Sequence, residues 1–104
     1  MQTLKLADDL MPLARDGFKR VTVRNGKRDI VLGPMVFEAT DGTEEDVLVN
    51  VLQSQVVLLR HAPQWALDGE NLGTSHELWA VLERFYPKVT LDSEITCIEF
   101  EAVS

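Results

Sequence analysis

The apolar and polar positions of this chain change period several times along its length. Leu6–Arg15 reads as a short helix, capped by Asp8 and Asp9, with Pro12 tolerable only in its first turn and Gly17 closing it. Lys19–Arg24 then alternates as a strand does, Val21 and Val23 toward one face and Thr22 and Arg24 toward the other. Asn25-Gly26 predicts a tight hairpin with Asp29–Leu32 as the returning strand. Gly33-Pro34 turns the chain into a third strand, Met35–Ala39, and Asp41-Gly42 turns it again into the long β-branched run Val47–Arg60, one bent strand or two. Residues 61–73 are irregular, with Pro63, Gly69 and Gly73 and room for one helical turn around Trp65. Thr74-x-x-Glu77 is a capping box opening a helix whose apolar stripe is Leu78, Val81, Leu82 and Phe85 and which Tyr86-Pro87 ends. Ile95–Glu101 is the last strand, Ile98 and Phe100 inward against Glu99 and Glu101.

Short strands, tight turns and two or three flanking helices predict an α+β fold built on a small, mostly antiparallel β-barrel, since closing the sheet leaves few unpaired edges. No repeat, low-complexity stretch or linker divides the 104 residues, so residues 1–104 are expected to form a single domain. A hydrophobic content of 45% with 26% charged residues is that of a globular chain rather than a disordered one. No apolar run approaches the roughly 20 residues that span a bilayer, so no membrane partner is expected.

Charge narrows the partners. Seventeen acidic residues against ten basic ones give a net charge of −7, which disfavours the phosphate backbone of DNA or long RNA. A nucleoside, read by hydrogen bonds and stacking, is not disfavoured. Cys97, the single cysteine, cannot form an internal disulfide and reads as a small core hydrophobe, so a reducing cytoplasm is the expected location. His61 and His76 have no acidic or cysteine partners at ligand spacing, so neither a metal nor another cofactor is expected.

Candidate chemistry lies in Gly17-Phe18-Lys19-Arg20-Val21-Thr22-Val23-Arg24. A threonine hydroxyl needs a nearby base to become a nucleophile, and a developing oxyanion needs a cation. Lys19, Thr22 and Arg24 supply one of each. In a regular strand Lys19 and Thr22 would point to opposite faces, so a joint role requires Lys19 to precede the alternation, at the junction after Gly17. Trp65, in the irregular stretch, is a candidate wall for a base-stacking pocket.

The order of elements and this signature resemble the ASCH-domain proteins, a branch of the PUA-like barrel folds, and more narrowly the small YqfB-type amidohydrolases that hydrolyse N4-acetylcytidine. The resemblance runs from Asp9 to Phe100 and rests on Gly17, Lys19, Thr22 and Arg24 as Gly-x-Lys-x-x-Thr-x-Arg, on Glu70-Asn71 ahead of the second helix, on Tyr86-Pro87 and on Ile98-Glu99-Phe100. It implies a single ASCH domain and a reactive set of Lys19, Thr22 and Glu70, with Asp68 and Glu77 as alternative carboxylates. Thr22 would attack the amide carbonyl, Lys19 would take its proton if its pKa fell below the usual 10.4 or so, and Glu70 would move a proton to the leaving nitrogen. Arg24 and Trp65 would bind substrate, a small nucleoside. A non-catalytic RNA-binding module and a ribonuclease are the rival readings: Arg15, Lys19, Arg20, Arg24, Lys27 and Arg28 could form a local basic patch, against the acidic whole and the lack of a histidine pair for cleavage.

Overall fold

The computed structural model describes residues 1–103. It has five strands, β1 (Gln2–Leu6), β2 (Val21–Asn25), β3 (Gly33–Ala39), β4 (Val47–Leu58) and β5 (Glu94–Ala102), with a short helix α1 (Met11–Arg15) between β1 and β2 and two more, α2 (Gln64–Gly69) and α3 (Ser75–Leu82), between β4 and β5. Single 3₁₀ turns at Asp8–Leu10 and Leu59–His61 precede α1 and follow β4. The hydrogen-bonded order is β1-β3-β4-β5-β2.

The fold is α+β, and the sheet is mostly antiparallel, as expected, but not purely so. β1 runs parallel to β3, with Leu4 opposite Phe37 and Leu6 opposite Ala39, whereas β3 and β4 are antiparallel, with Met35 opposite Val49. A parallel pair needs a long crossover, and the segment between β1 and β3 supplies it while carrying α1 and β2. β1 and β2 stand at the two ends of the strand order.

Two compact units divide the chain. The first comprises Met1–Arg20, Ile30–Gln53 and the segment from Glu99 onward. Its period-2 strands place Leu4, Leu6, Met35, Phe37, Val47, Val49, Val51 and Phe100 in the interior beside Met11 and Ala14 of α1. Phe37 and Phe100 meet edge to face with centroids 4.9 Å apart, a pairing that adds about 0.5–1.5 kcal/mol to what their burial contributes. Asp8 ties down the turn after β3, accepting hydrogen bonds from the backbone N–H groups of Asp41 and Thr43 and from the Thr43 hydroxyl. Those donors hold its carboxyl below the usual carboxylate range.

Val21–Asp29 and Ser54–Ile98 form the second unit. Its core joins Val21 of β2, Leu59, Ala66 and Leu67 of α2, Leu78 and Leu82 of α3, Val89, and Ile95 and Cys97 of β5. Thr74 caps α3 as expected: the Glu77 N–H donates to Thr74 Oγ1 at 3.2 Å, and the Thr74 hydroxyl in turn meets Glu77 Oε1 at 3.4 Å. Trp79 donates its indole N–H to the Val89 carbonyl at 3.0 Å, closing the chain after α3 onto the helix.

Several expected elements take other forms. β1 occupies a segment for which the hydrophobic pattern gave no element, and the expected helix from Leu6 begins only at Met11. Asn25-Gly26 ends β2 but makes no hairpin with Asp29–Leu32. The Gly26 N–H donates instead to the Glu94 carbonyl, and Val31 and Leu32 stand 66% and 65% exposed. The buried Thr96 hydroxyl fixes this departure, accepting from the Arg28 N–H at 2.9 Å and donating to the Gly26 carbonyl at 2.7 Å. The helical turn expected around Trp65 forms, as the six-residue α2. α3 stops at Leu82, so Phe85 leaves the apolar stripe and is 73% exposed.

Candidate active site on strand β2

β2 begins at Val21, so Lys19 stands ahead of the alternation, in the stretch after Gly17. The Lys19 N–H donates to the Leu13 carbonyl at 3.0 Å and its side chain is half-buried. Within β2, Thr22 is 5% exposed although it lies on the face opposite Val21 and Val23, so the strand is covered on both sides. Arg24 lies on the Thr22 face, and its Nε–H donates to Thr22 Oγ1 at 3.1 Å.

This bond constrains the hydroxyl. A threonine oxygen donates one hydrogen and accepts through two lone pairs. The Arg24 donor takes one lone pair, which leaves the hydroxyl hydrogen for another acceptor. Burial lowers the Arg24 pKa and so does the charge of Arg28, while Tyr86 and Glu70 favour its charged form. A guanidinium starts so high that it stays cationic throughout the physiological range. Thr22 Oγ1 therefore carries a permanent, partly desolvated positive charge at hydrogen-bond distance.

Glu70 is brought to this strand by the residues on either side of it. Gly69, the last residue of α2, lies so close to β2 that an added Cβ would stand 2.2 Å from Val21 Cγ2 and 2.6 Å from Val21 Cβ. Only glycine permits that approach, which sets the end of α2 against the residue preceding Thr22. Asn71 has φ of +58°, the left-handed conformation that asparagine tolerates better than other side-chain-bearing residues. With Asn71 so turned, the Leu72 N–H reaches the Leu67 carbonyl at 2.8 Å and the Asn71 N–H the Asp68 carbonyl at 3.0 Å, a Schellman ending that leaves Glu70 as the C-cap. Leu67 and Leu72 both pack into the second core, completing the motif with its apolar contact. The Glu-Asn pair is thus a conformational unit: asparagine stops the helix and glutamate occupies the stop.

The other two carboxylates considered for this role are engaged locally. Asp68 Oδ1 accepts from Gln64 Nε2 at 2.7 Å, one helical turn away, and Glu77 Oε1 meets the Thr74 hydroxyl at the cap of α3. Glu70 is the carboxylate whose charge reaches both Arg24 and Cys97. Cys97 is fully buried on β5, and desolvation, with the Glu70 charge adding to it, pushes its thiol up to about 12. Among the described residues no group of three or more His, Cys, Asp or Glu side chains could hold a metal ion.

The structure therefore gathers Thr22, Arg24 and Glu70 in the second unit, while Lys19 belongs to the first. Trp65 also lies in the second unit, half-buried on α2 and packed against its core, so at least part of its ring serves packing. Two residues of the neighbourhood escaped the sequence reading. Tyr86 was read only as a helix end, yet it faces Arg24 electrostatically. Gly69 was read only as a loop residue, and its position immediately before Glu70-Asn71 was the available signal.

No family model matches the chain, and no curated protein matches it. Among solved structures it is similar to protein EF3133 from Enterococcus faecalis V583, of family DUF984, at 12% identity and a TM-score of 0.75, covering 99% of this chain and 76% of that one. It is also similar to the hypothetical protein PH0355, at 16% identity and a TM-score of 0.67, covering 98% of each chain. At these identities the likeness is one of fold: a small α+β architecture with a mixed sheet. Among the described residues no helix is long and apolar enough to cross a membrane.

Proposed function

We propose that this protein is an amidohydrolase of the ASCH, PUA-like type that cleaves the N4-acyl amide of acylated cytosine nucleosides, releasing cytidine and acetate from N4-acetylcytidine. The observation that carries the reading is the hydrogen bond from Arg24 Nε to the buried Thr22 Oγ1, with Glu70 held beside the same strand. A buried hydroxyl fixed by a cation is poised to become an alkoxide-like nucleophile, because the positive charge stabilises the negative charge that develops on oxygen.

In this reading Thr22 Oγ attacks the acyl carbonyl carbon, and its proton passes to Lys19, three residues earlier in the chain. The carbonyl π pair moves onto oxygen, and the remaining N–H groups of Arg24 stabilise that oxyanion. When it collapses, the C–N bond breaks and the proton that Lys19 took from Thr22 passes through Glu70 to N4, so the nucleoside leaves with a neutral amine. Water then attacks the acyl-threonine, frees the carboxylic acid and restores the hydroxyl.

Incubation of the purified protein with N4-acetylcytidine is expected to yield equimolar cytidine and acetate, with turnover abolished by Thr22→Ala, Lys19→Ala and Glu70→Ala. Rapid mixing is expected to show a burst of cytidine equal to the enzyme concentration if deacylation is slow. Hydrolysis undiminished in Thr22→Ala would eliminate the threonine nucleophile, and no turnover of any N4-acylcytidine by the wild-type protein would eliminate the substrate class.

A further inference from the structure

A groove of about 410 Å³ opens in the second unit beside the end of β2. Asn25, the residue after Arg24, forms one side, and the chain that follows α3 forms the other, with Phe85, Tyr86 and Lys88 and, further along, Ser93. Tyr86 belongs both to this groove and to the electrostatic surroundings of Arg24. The volume falls within the range of about 300–1,000 Å³ usual for small-molecule sites.

The groove has a built wall. The Phe85 and Tyr86 N–H groups both reach the Leu82 carbonyl, at 3.0 and 2.9 Å, and the Val89 N–H reaches the Tyr86 carbonyl at 3.0 Å. Ser93 Oγ accepts from the Thr90 N–H at 2.9 Å, and Trp79 holds the Val89 carbonyl. On this braced turn Phe85 keeps 73% of its surface exposed, an aromatic face held in water by a rigid support. Beside it stand an amide able both to donate and to accept, from Asn25, and an ammonium, from Lys88. Aromatic face, amide and cation match base, base edge and phosphate.

We propose that this groove is a nucleotide subsite, so that the preferred ligand is a cytidine monophosphate rather than the bare nucleoside. The pyrimidine stacks on Phe85, Asn25 meets its hydrogen-bonding edge and Lys88 receives the phosphate. The inference rests on the reading of the substrate as an acylated cytosine compound, and it extends that substrate from the nucleoside to its monophosphate.

Calorimetric titration of the wild-type protein with cytidine and with cytidine 5′-monophosphate tests the groove apart from the chemistry. The monophosphate is expected to bind about tenfold more tightly, a gain typical of one charge-assisted contact, and Lys88→Ala is expected to erase that gain. Phe85→Ala is expected to weaken both ligands by roughly fivefold or more through lost stacking. Its side chain is exposed, so the variant tests the contact rather than folding. Equal affinities for the two ligands, or Lys88→Ala and Phe85→Ala variants that bind as wild type does, would overturn the subsite even if N4-acetylcytidine is hydrolysed. Tight, Lys88-dependent binding of the monophosphate by Thr22→Ala protein, with no N4-acyl compound turned over by wild type, would uphold the subsite while the amidohydrolase reading falls.

Discussion

Gly69 lies against Val21 at a distance that no other amino acid allows: a β-carbon there would stand 2.2 Å from Val21 Cγ2. The relationship couples the end of α2 to the residue before Thr22, and with it Glu70 to the strand that carries Arg24. Gly69→Ala is therefore expected to cost about 1–3 kcal/mol of stability, the usual penalty of overpacking, and to lower any Glu70-dependent activity more than stability alone explains. Urea denaturation followed by circular dichroism measures the first effect. Trimming Val21 to alanine in the same protein is not expected to rescue it, because the Val21 Cβ is itself only 2.6 Å away. Full rescue would show that the approach is less tightly fixed than the packing indicates.

Arg24 is held responsible for charging the surroundings of the Thr22 hydroxyl. If the protein is the proposed amidohydrolase, Arg24→Lys, which keeps a cation but loses the planar fork, is expected to reduce kcat for N4-acetylcytidine by roughly 100- to 1,000-fold with a smaller change in KM. Steady-state kinetics decide the matter: a kcat within twofold of wild type would remove Arg24 from the reaction.

The Thr96 hydroxyl bridges Arg28 N–H and Gly26 C=O beneath the loop after β2. Thr96→Val keeps the shape and removes both bonds, leaving the Arg28 N–H without that acceptor. A loss of about 1–3 kcal/mol is expected. Amide hydrogen exchange at Arg28 should accelerate more than exchange in α3, and unchanged protection there would contradict this account of the loop.

Cys97 should behave as an inert thiol. Its usual value of 9.0 rises to about 12, chiefly through burial, so the folded protein should resist a thiol-specific disulfide reagent at pH 8 and react fully once unfolded in urea. The sign of the linkage follows: the folded state holds this proton more tightly than the unfolded chain does. The associated stability is complete below pH 9 and is lost as pH rises toward 12, where the unfolded thiol ionises first. Cys97→Ala is expected to flatten that part of the alkaline stability curve, and an unaltered curve would assign the loss to other groups.

Local chemistry was legible in the sequence wherever a short signal fixes its own partners. Thr74 caps α3 through the Glu77 N–H three residues on, and Ile98 and Phe100 fall inward on β5 as their alternation requires. What failed was inference of long-range partners. Asn25-Gly26 has the composition of a hairpin, but β2 pairs with β5, so the turn signal was spent on a loop that Thr96 anchors. Thr3 to Leu6 does alternate, yet four residues are too few to outweigh the helical pattern that follows, and the parallel partner β3 lies some thirty residues on. Phe85 continues the 3.6-residue stripe of α3 in sequence but not in space, because the helix ends at Leu82. In the candidate site, Thr22 and Arg24 were visible as one strand face. The nearness of Glu70 was not, since it depends on a glycine seated on a valine 48 positions away.

β2 closes the strand order, so the strand that carries Thr22 and Arg24 has a sheet neighbour on one side only. Its lateral tether is a single ladder, and strands so placed belong to the part of a fold that opens at lowest cost. A groove wall that must admit and release a ligand gains from this placement. Among the described residues its outer edge has no ladder, while β5 keeps its inner side in register.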